Sequence, residues 1–182
     1  MNPPARGTAM GLPKSRALRL YLLLVLALVA NYLAIALWSG PRLSAAAGGM
    51  MPFDTRIAGY SEGQARRYLA ALGNEGRDFY LHVGRWLDTS FPVLLALVLG
   101  GALWWLYAEK SRAMRIALLG IPLVAAAADL AENARIAAMM RLDVPSAGLI
   151  ASASQATVLK FILDGAGVAL VVVGIAGHWR AR

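Results

Sequence analysis

Four apolar runs, each edged or interrupted by a few ionisable residues, set the pattern of this chain. The first extends from Leu18 to Trp38, with Arg19 at its edge, about the twenty residues a helix needs to cross hydrocarbon. The second covers residues 88–107, and its Pro92 is expected to kink the helix where it enters the bilayer. The third covers 115–135, but its uninterrupted part, Ile116 to Ala128, is short for a span. Strong apolar residues at about −0.5 kcal/mol each roughly offset one central carboxylate at about +3 kcal/mol, so this helix needs neighbours to insert. The fourth covers 157–177, where Gly165 and Ala169, small and four apart, are expected to let another helix come close.

Between the first two runs lies a polar connection, residues 39–87. Pro41, Gly48, Gly49 and Pro52 are expected to break it early. Ser61 and Gln64 then stand in the spacing of a capping box. Ala65, Tyr68, Leu69 and Leu72 follow at i, i+3, i+4 and i+7, with Glu62, Arg66 and Arg67 on the other face and Gly73 as the stop. This predicts a short amphipathic helix lying on the membrane surface or on the bundle. A new helix starting near Glu75 would run into the second span. At 1.5 Å per residue it would measure about 50 Å, so its start should project into water.

The pattern predicts an all-α integral membrane protein. Its core is an antiparallel four-helix transmembrane bundle with an ordered extracytoplasmic loop containing the amphipathic helix. Residues 1–17 are read as a cytoplasmic tail, 18–177 as a single membrane domain and 178–182 as a second cytoplasmic tail. A cleaved signal peptide ending after Ala47 is the rival reading of the first run. Its length and its Asn31 and Tyr32 argue against that.

Composition strengthens the membrane reading. Of 182 residues 59% are hydrophobic and 15% charged, whereas a soluble domain carries about 25% charged residues. The mean hydropathy is +0.57. The absence of cysteine excludes disulfides, thiolate nucleophiles and Cys-ligated zinc or iron–sulfur sites. A net charge of +8 sits mostly in tails and turns, where anionic lipid and topogenic signals account for it. No basic–aromatic surface accompanies it, so nucleic acid is excluded as a partner. Arginine and lysine density places both termini in the cytoplasm and the long loop outside. The Ala-, Arg- and Gly-rich composition suits a bacterial inner membrane.

The candidate chemistry lies inside the apolar runs. Asp129, Glu132 and Asn133 share one helix face at i, i+3, i+4, their Cβ atoms about 5–6 Å apart. Lys160 and Asp164 share a face of the fourth run. With the expected topology Asp129 lies roughly 21 Å from the cytoplasmic end of its helix. All these groups, with Asp88, Arg85 and Asn31, then fall in the outer half of the bundle. Ionisable residues at such depth mark a functional or helix-pairing site. Carboxylates beside a lysine suit acid/base chemistry, a proton relay or cation binding; held as glue, each contact contributes about 0.6–2 kcal/mol. Asp54, Arg56, Tyr60, Arg77 and Tyr80 form a second set in the loop, able to roof the site and bind phosphate or carboxylate, or simply to tie the loop down.

No cofactor is expected. His82 and His178 fall at opposite membrane faces, which excludes a shared haem, and histidine is too scarce for a zinc hydrolase site. An oxygen-ligated cation held by Asp129, Glu132 and Asp164 stays open. Gly100-Gly101 and Gly165-Ala166-Gly167 read as helix packing, and Ser152 and Ser154 lack a histidine partner. The leading expectation is a non-catalytic membrane subunit or assembly factor. Its polar cluster would pack helices or a partner, within a larger membrane complex or a homo-oligomer. The alternative is an enzyme acting on a lipid or isoprenoid headgroup at the outer leaflet, with Asp129 or Glu132 as acid/base and Lys160 stabilising an anion. A proton-coupled carrier is the third reading.

Overall fold

The computed structural model describes residues 15–180, so most of the expected 1–17 tail, and residues 181–182, lie outside the description. The described chain is all-helical, 87% helix without strands. Four helical runs are long and apolar enough to cross a membrane: Arg16–Ala46, Glu62–Leu106, Arg112–Arg141 and Ala147–Arg180. They suggest a multi-pass membrane protein.

The first run overruns its expected end at Trp38. Helix α1 (Ser15–Ala34) passes through a π-helical turn, Ile35–Ser39, into α2 (Gly40–Ala46). Pro41 does not break the chain here, because the turn widens just before it. The Gly40 N–H bonds back to the Ile35 carbonyl, five residues away, and Pro41 then sits in the first turn of α2, where a missing N–H matters least. Gly40 permits this: a Cβ there would lie 3.0 Å from the Ile35 carbonyl oxygen.

The connection 39–87 is therefore far more helical than a loop. Only residues 47–61 are irregular, and they contain a 3₁₀ turn, Phe53–Thr55. The capping box forms as expected. Gln64 N–H donates to the Ser61 hydroxyl, and the Gln64 side chain accepts from the Ser61 N–H. It starts α3 (Glu62–Phe79), which buries Ala65, Tyr68, Leu69 and Leu72 against the rest of the fold. Gly73, at φ 63° and ψ −173°, interrupts α3 in a region open essentially only to glycine, and the helix resumes at once. A second π-helical turn, Tyr80–Gly84, leads into α4 (Arg85–Leu106), which carries Pro92 inside it.

Helix α5 (Arg112–Arg141) is capped by the Ser111 hydroxyl, which accepts from the Met114 N–H at 3.3 Å. Helix α6 (Ala147–Arg180) starts ten residues before the expected position 157. The Ser146 hydroxyl accepts from the Leu149 N–H at 3.2 Å, and Ile150, Ala153 and Thr157 form a buried stripe. Ser152, Ser154 and Gln155 hide that stripe in a hydropathy reading.

Helices α4, α5 and α6 pack on one another, and α1 leans on α4. The close approaches on α6 come at Gly167 and Gly174, where a Cβ would stand 3.1 Å from Leu99 and Leu106. The expected pair, Gly165 and Ala169, is exposed instead. The main hydrophobic core is not centred among the long helices. It lies at one end, where Leu43, Phe53, Tyr68 and Leu72 close over Ile136, Met139 and Met140 of α5 and Ile150 of α6. This cap brings the turn 53–55 against the polar residues of α5 and α6.

Candidate functional site

Helix α5 presents Asp129, Glu132 and Asn133 on one face, all buried. Helix α6 answers with Thr157, Lys160 and Asp164, spaced so that they share a face toward α5. Glu132 is 0% exposed. One of its oxygens accepts from the Thr157 hydroxyl and the other lies 2.5 Å from Lys160 Nζ. Thr157 Oγ1 is also 3.1 Å from the Ala153 carbonyl, but its single proton serves one acceptor at a time. Lys160 Nζ also stands 3.5 Å from Asp129 Oδ1. Asn133 Nδ2 donates to Asp129 Oδ1 at 3.0 Å and to the Asp88 carbonyl at 2.8 Å, which ties α5 to α4.

Beside this cluster opens a cavity of about 310 Å³. Its polar wall is Asp54, Asp88, Asp129, Asn133, Lys160 and Asp164, and Tyr32, Ile35, Phe91 and Phe161 stand among its apolar lining. Asp54 reaches the wall from the 3₁₀ turn. Burial pushes its carboxyl above the usual aspartate range, and the positive charge of Lys160 pulls it partly back.

The remaining sequence-predicted residues fall outside the cavity. Tyr60 is buried in the cap near Glu132 and Thr157, and its N–H donates to Ser154 Oγ at 2.8 Å. Burial, and then the charge of Glu132, hold its phenol protonated far above the ordinary range. Tyr80 is also buried, and its hydroxyl has no partner among the described residues. Arg56 donates to the Met51 carbonyl at 2.6 and 3.0 Å and faces the Phe53, Tyr60 and Tyr68 rings. Arg77 donates to the carbonyls of Leu69, Met140 and Leu142. Asn31 donates to Ser90 Oγ at 2.5 Å and joins α1 to α4. Both arginines thus spend guanidinium hydrogen bonds on main-chain carbonyls of the cap and its junction with α5, away from the cavity lining.

Thr157, Phe91 and Phe161 belong to the site and were not singled out from sequence. Thr157 had a signal, lying three residues before Lys160 on the same helix face. The two rings had none that separates them from ordinary apolar positions. The oxygen-ligated cation site through Asp129, Glu132 and Asp164 does not form. Among the described residues no three His, Cys, Asp or Glu side chains converge as a metal site, and the Lys160 ammonium occupies the position between Asp129 and Glu132.

Chemically, Glu132 is enclosed and fully engaged, so it positions Lys160. Asp54, Asp88, Asp129 and Asp164 are the carboxylates that meet the cavity. Comparison with known proteins adds no assignment: no protein-family model, no curated protein and no solved structure matches this chain.

Proposed function

We propose that this is a four-span, antiparallel bacterial inner-membrane protein that takes the polar end of a membrane-borne small molecule into the cavity beside Lys160. In this reading both termini are cytoplasmic, and the cap built from residues 47–61 and α3 lies outside the membrane. The position of the hydrophobic core supports that placement. Burial of apolar side chains drives packing in water but not in lipid, so the dense apolar core belongs to the end that leaves the bilayer.

The observation that carries the ligand reading is the cavity itself. Glue between helices would close its polar groups on one another, as Glu132, Thr157 and Lys160 do. Asp54, Asp88 and Asp164 instead face an open volume and make no ion pair among the described residues. The volume is at the small end of the range for ligand pockets, fit for a headgroup. If chemistry follows binding, Asp129 is the group placed for proton exchange, since it meets both the cavity and Lys160.

A second reading, a non-catalytic subunit, draws support from α1. Leu20, Leu22, Leu23 and Leu26 are exposed along it, as a face against lipid or a partner helix would be. Purification into lipid nanodiscs, with mass spectrometry of bound lipids and proteins, separates the two. A retained small amphiphile lost in Asp88→Asn supports the ligand site. A stoichiometric protein partner with no such amphiphile supports the subunit.

A further inference from the structure

The polar wall of the cavity is unbalanced in charge, group by group. Lys160 is its single cationic side chain among the described residues, and Glu132 and Asp129 already hold that ammonium at 2.5 and 3.5 Å. Asp54, Asp88 and Asp164 share the wall without an ion pair among the described residues. Asp88 is only 8% exposed, so what little of it is open faces this volume. A carboxylate buried to that degree is costly unless a partner compensates it.

An independent feature points the same way. The amide nitrogen of Asn133 donates to two protein acceptors, Asp129 Oδ1 and the Asp88 carbonyl. That fixes which end of the amide is oxygen, and the oxygen is buried without a partner on a residue lining the cavity. The hydroxyl of Thr55, also on the lining, is used on the Pro52 carbonyl at 2.9 Å. The polar wall thus offers acceptors and negative charge, while the Asn133 amide and the Thr55 hydroxyl are already engaged. Aromatic rings share the lining: Tyr32 and Phe91 lie 6.3 Å apart between centroids, and Phe161 already has Lys160 Nζ at 5.5 Å from its own. Carboxylates together with aromatic faces recognise organic cations.

We propose that the cavity binds an organic cation, a protonated amine or quaternary ammonium with apolar substituents. Its charge lies against Asp54 and Asp88, and its apolar part against Tyr32, Phe91 and Phe161. The assignment rests on the cavity being a ligand site, and it excludes the phosphate or carboxylate group that the loop arginines suggested from sequence. An anion there would meet unpaired carboxylates and a lysine that is already neutralised.

The test uses the full chain in nanodiscs of phosphatidylglycerol, which carries no amine. Equilibrium dialysis measures saturable binding of radiolabelled benzyltrimethylammonium, with benzylphosphonate and the neutral isostere neopentylbenzene measured alongside. The cation is expected to bind, with affinity falling at least tenfold in Asp54→Asn and in Asp88→Asn. Circular dichroism checks that both variants remain folded, and Glu62→Gln on the exposed face of α3 should bind as wild type. If benzylphosphonate or neopentylbenzene binds and the cation does not, the cavity stands as a ligand site and its charge assignment is overturned. If none of the three binds saturably, the cation assignment and the ligand-site reading both fall.

Discussion

Asn133 donates its side-chain amide to the main-chain carbonyl of Asp88 at 2.8 Å, and that carbonyl is free because Pro92, four residues later, has no N–H to bond it. A proline inside a helix leaves one acceptor without its usual donor. In a low-dielectric setting such an orphan is costly, and a side chain from a neighbouring helix can repair it. Here the repairing residue also holds Asp129, so the carbonyl freed by Pro92 and the orientation of a site carboxylate depend on one amide.

Replacing Asn133 by Leu should therefore orphan the Asp88 carbonyl and leave Asp129 Oδ1 only the Lys160 ammonium, 3.5 Å away. At about 1–3 kcal/mol for each buried unsatisfied group, a clear fall in thermal stability is expected. In a Pro92→Ala background the Asp88 carbonyl regains a helical donor, and the same Asn133→Leu change should cost less. A double-mutant cycle read by thermal melting in nanodiscs measures the coupling. Simple additivity of the two changes would show that the repair contributes nothing.

The ion cluster predicts an ordering of single variants. Lys160→Met strips the cation from both Asp129 and Glu132, whereas Glu132→Gln leaves Lys160 its Asp129 partner. Breaking a buried pair by removing one side costs about 3–5 kcal/mol, so Lys160→Met should be the more damaging change. The combined Glu132→Gln, Lys160→Met variant should recover part of the loss, because Asp129 alone, and no longer Glu132 with it, then lacks a cation. Equal melting temperatures for all three variants and wild type would remove the cluster from any account of stability.

Asp54 carries a pH prediction. Its carboxyl is pushed above the usual range by burial, so the folded state binds its proton more tightly than the unfolded chain does. Stability from this group is full below the unfolded pKa and is lost as pH rises through the folded one. Above the unfolded pKa Asp54 thus opposes folding. Asp54→Asn should raise the melting temperature at pH 7 by a few degrees, and the gap should narrow on acidification toward pH 4. A variant less stable than wild type at pH 7 would mean that Lys160 compensates Asp54 more fully than its placement implies.

The cluster was legible because Asp129, Glu132 and Asn133 interrupt an apolar run at helical spacing, a pattern that places them on one face before any coordinates exist. Which partner Lys160 would choose was not legible. Asp164 shares its helix face, yet the ammonium turns across to α5, where two carboxylates outweigh one. The passage of helix through Gly40 and Pro41 was hidden because local rules treat proline as a break, and a π-helical turn lets the hydrogen-bond ladder shift before it. Asp54 was legible as one of a loop set able to roof the site, but not as the member of that set that lines the cavity. Its arrival at the cavity depends on how Phe53, Tyr60 and Tyr68 pack the cap, and that is a tertiary event.

Arg77 is where reading the chain and reading the structure diverge most, and the divergence can be tested. Its guanidinium bonds the carbonyls of Met140 and Leu142 at the C-terminal end of α5 and that of Leu69 in α3. Helix ends of that polarity favour cations, and three carbonyls in different directions suit a planar fork better than a point charge. Arg77→Met should therefore loosen the junction of α3 and α5. A loss of about 1–2 kcal/mol is expected, given that the side chain is half-buried and charge-assisted bonds are partly screened. Arg77→Lys should recover only part of it. Faster hydrogen exchange confined to residues 69–77 and 136–142, with cavity binding of the cation unchanged, is the expected signature. Unchanged exchange at both segments would remove Arg77 from the account of that junction.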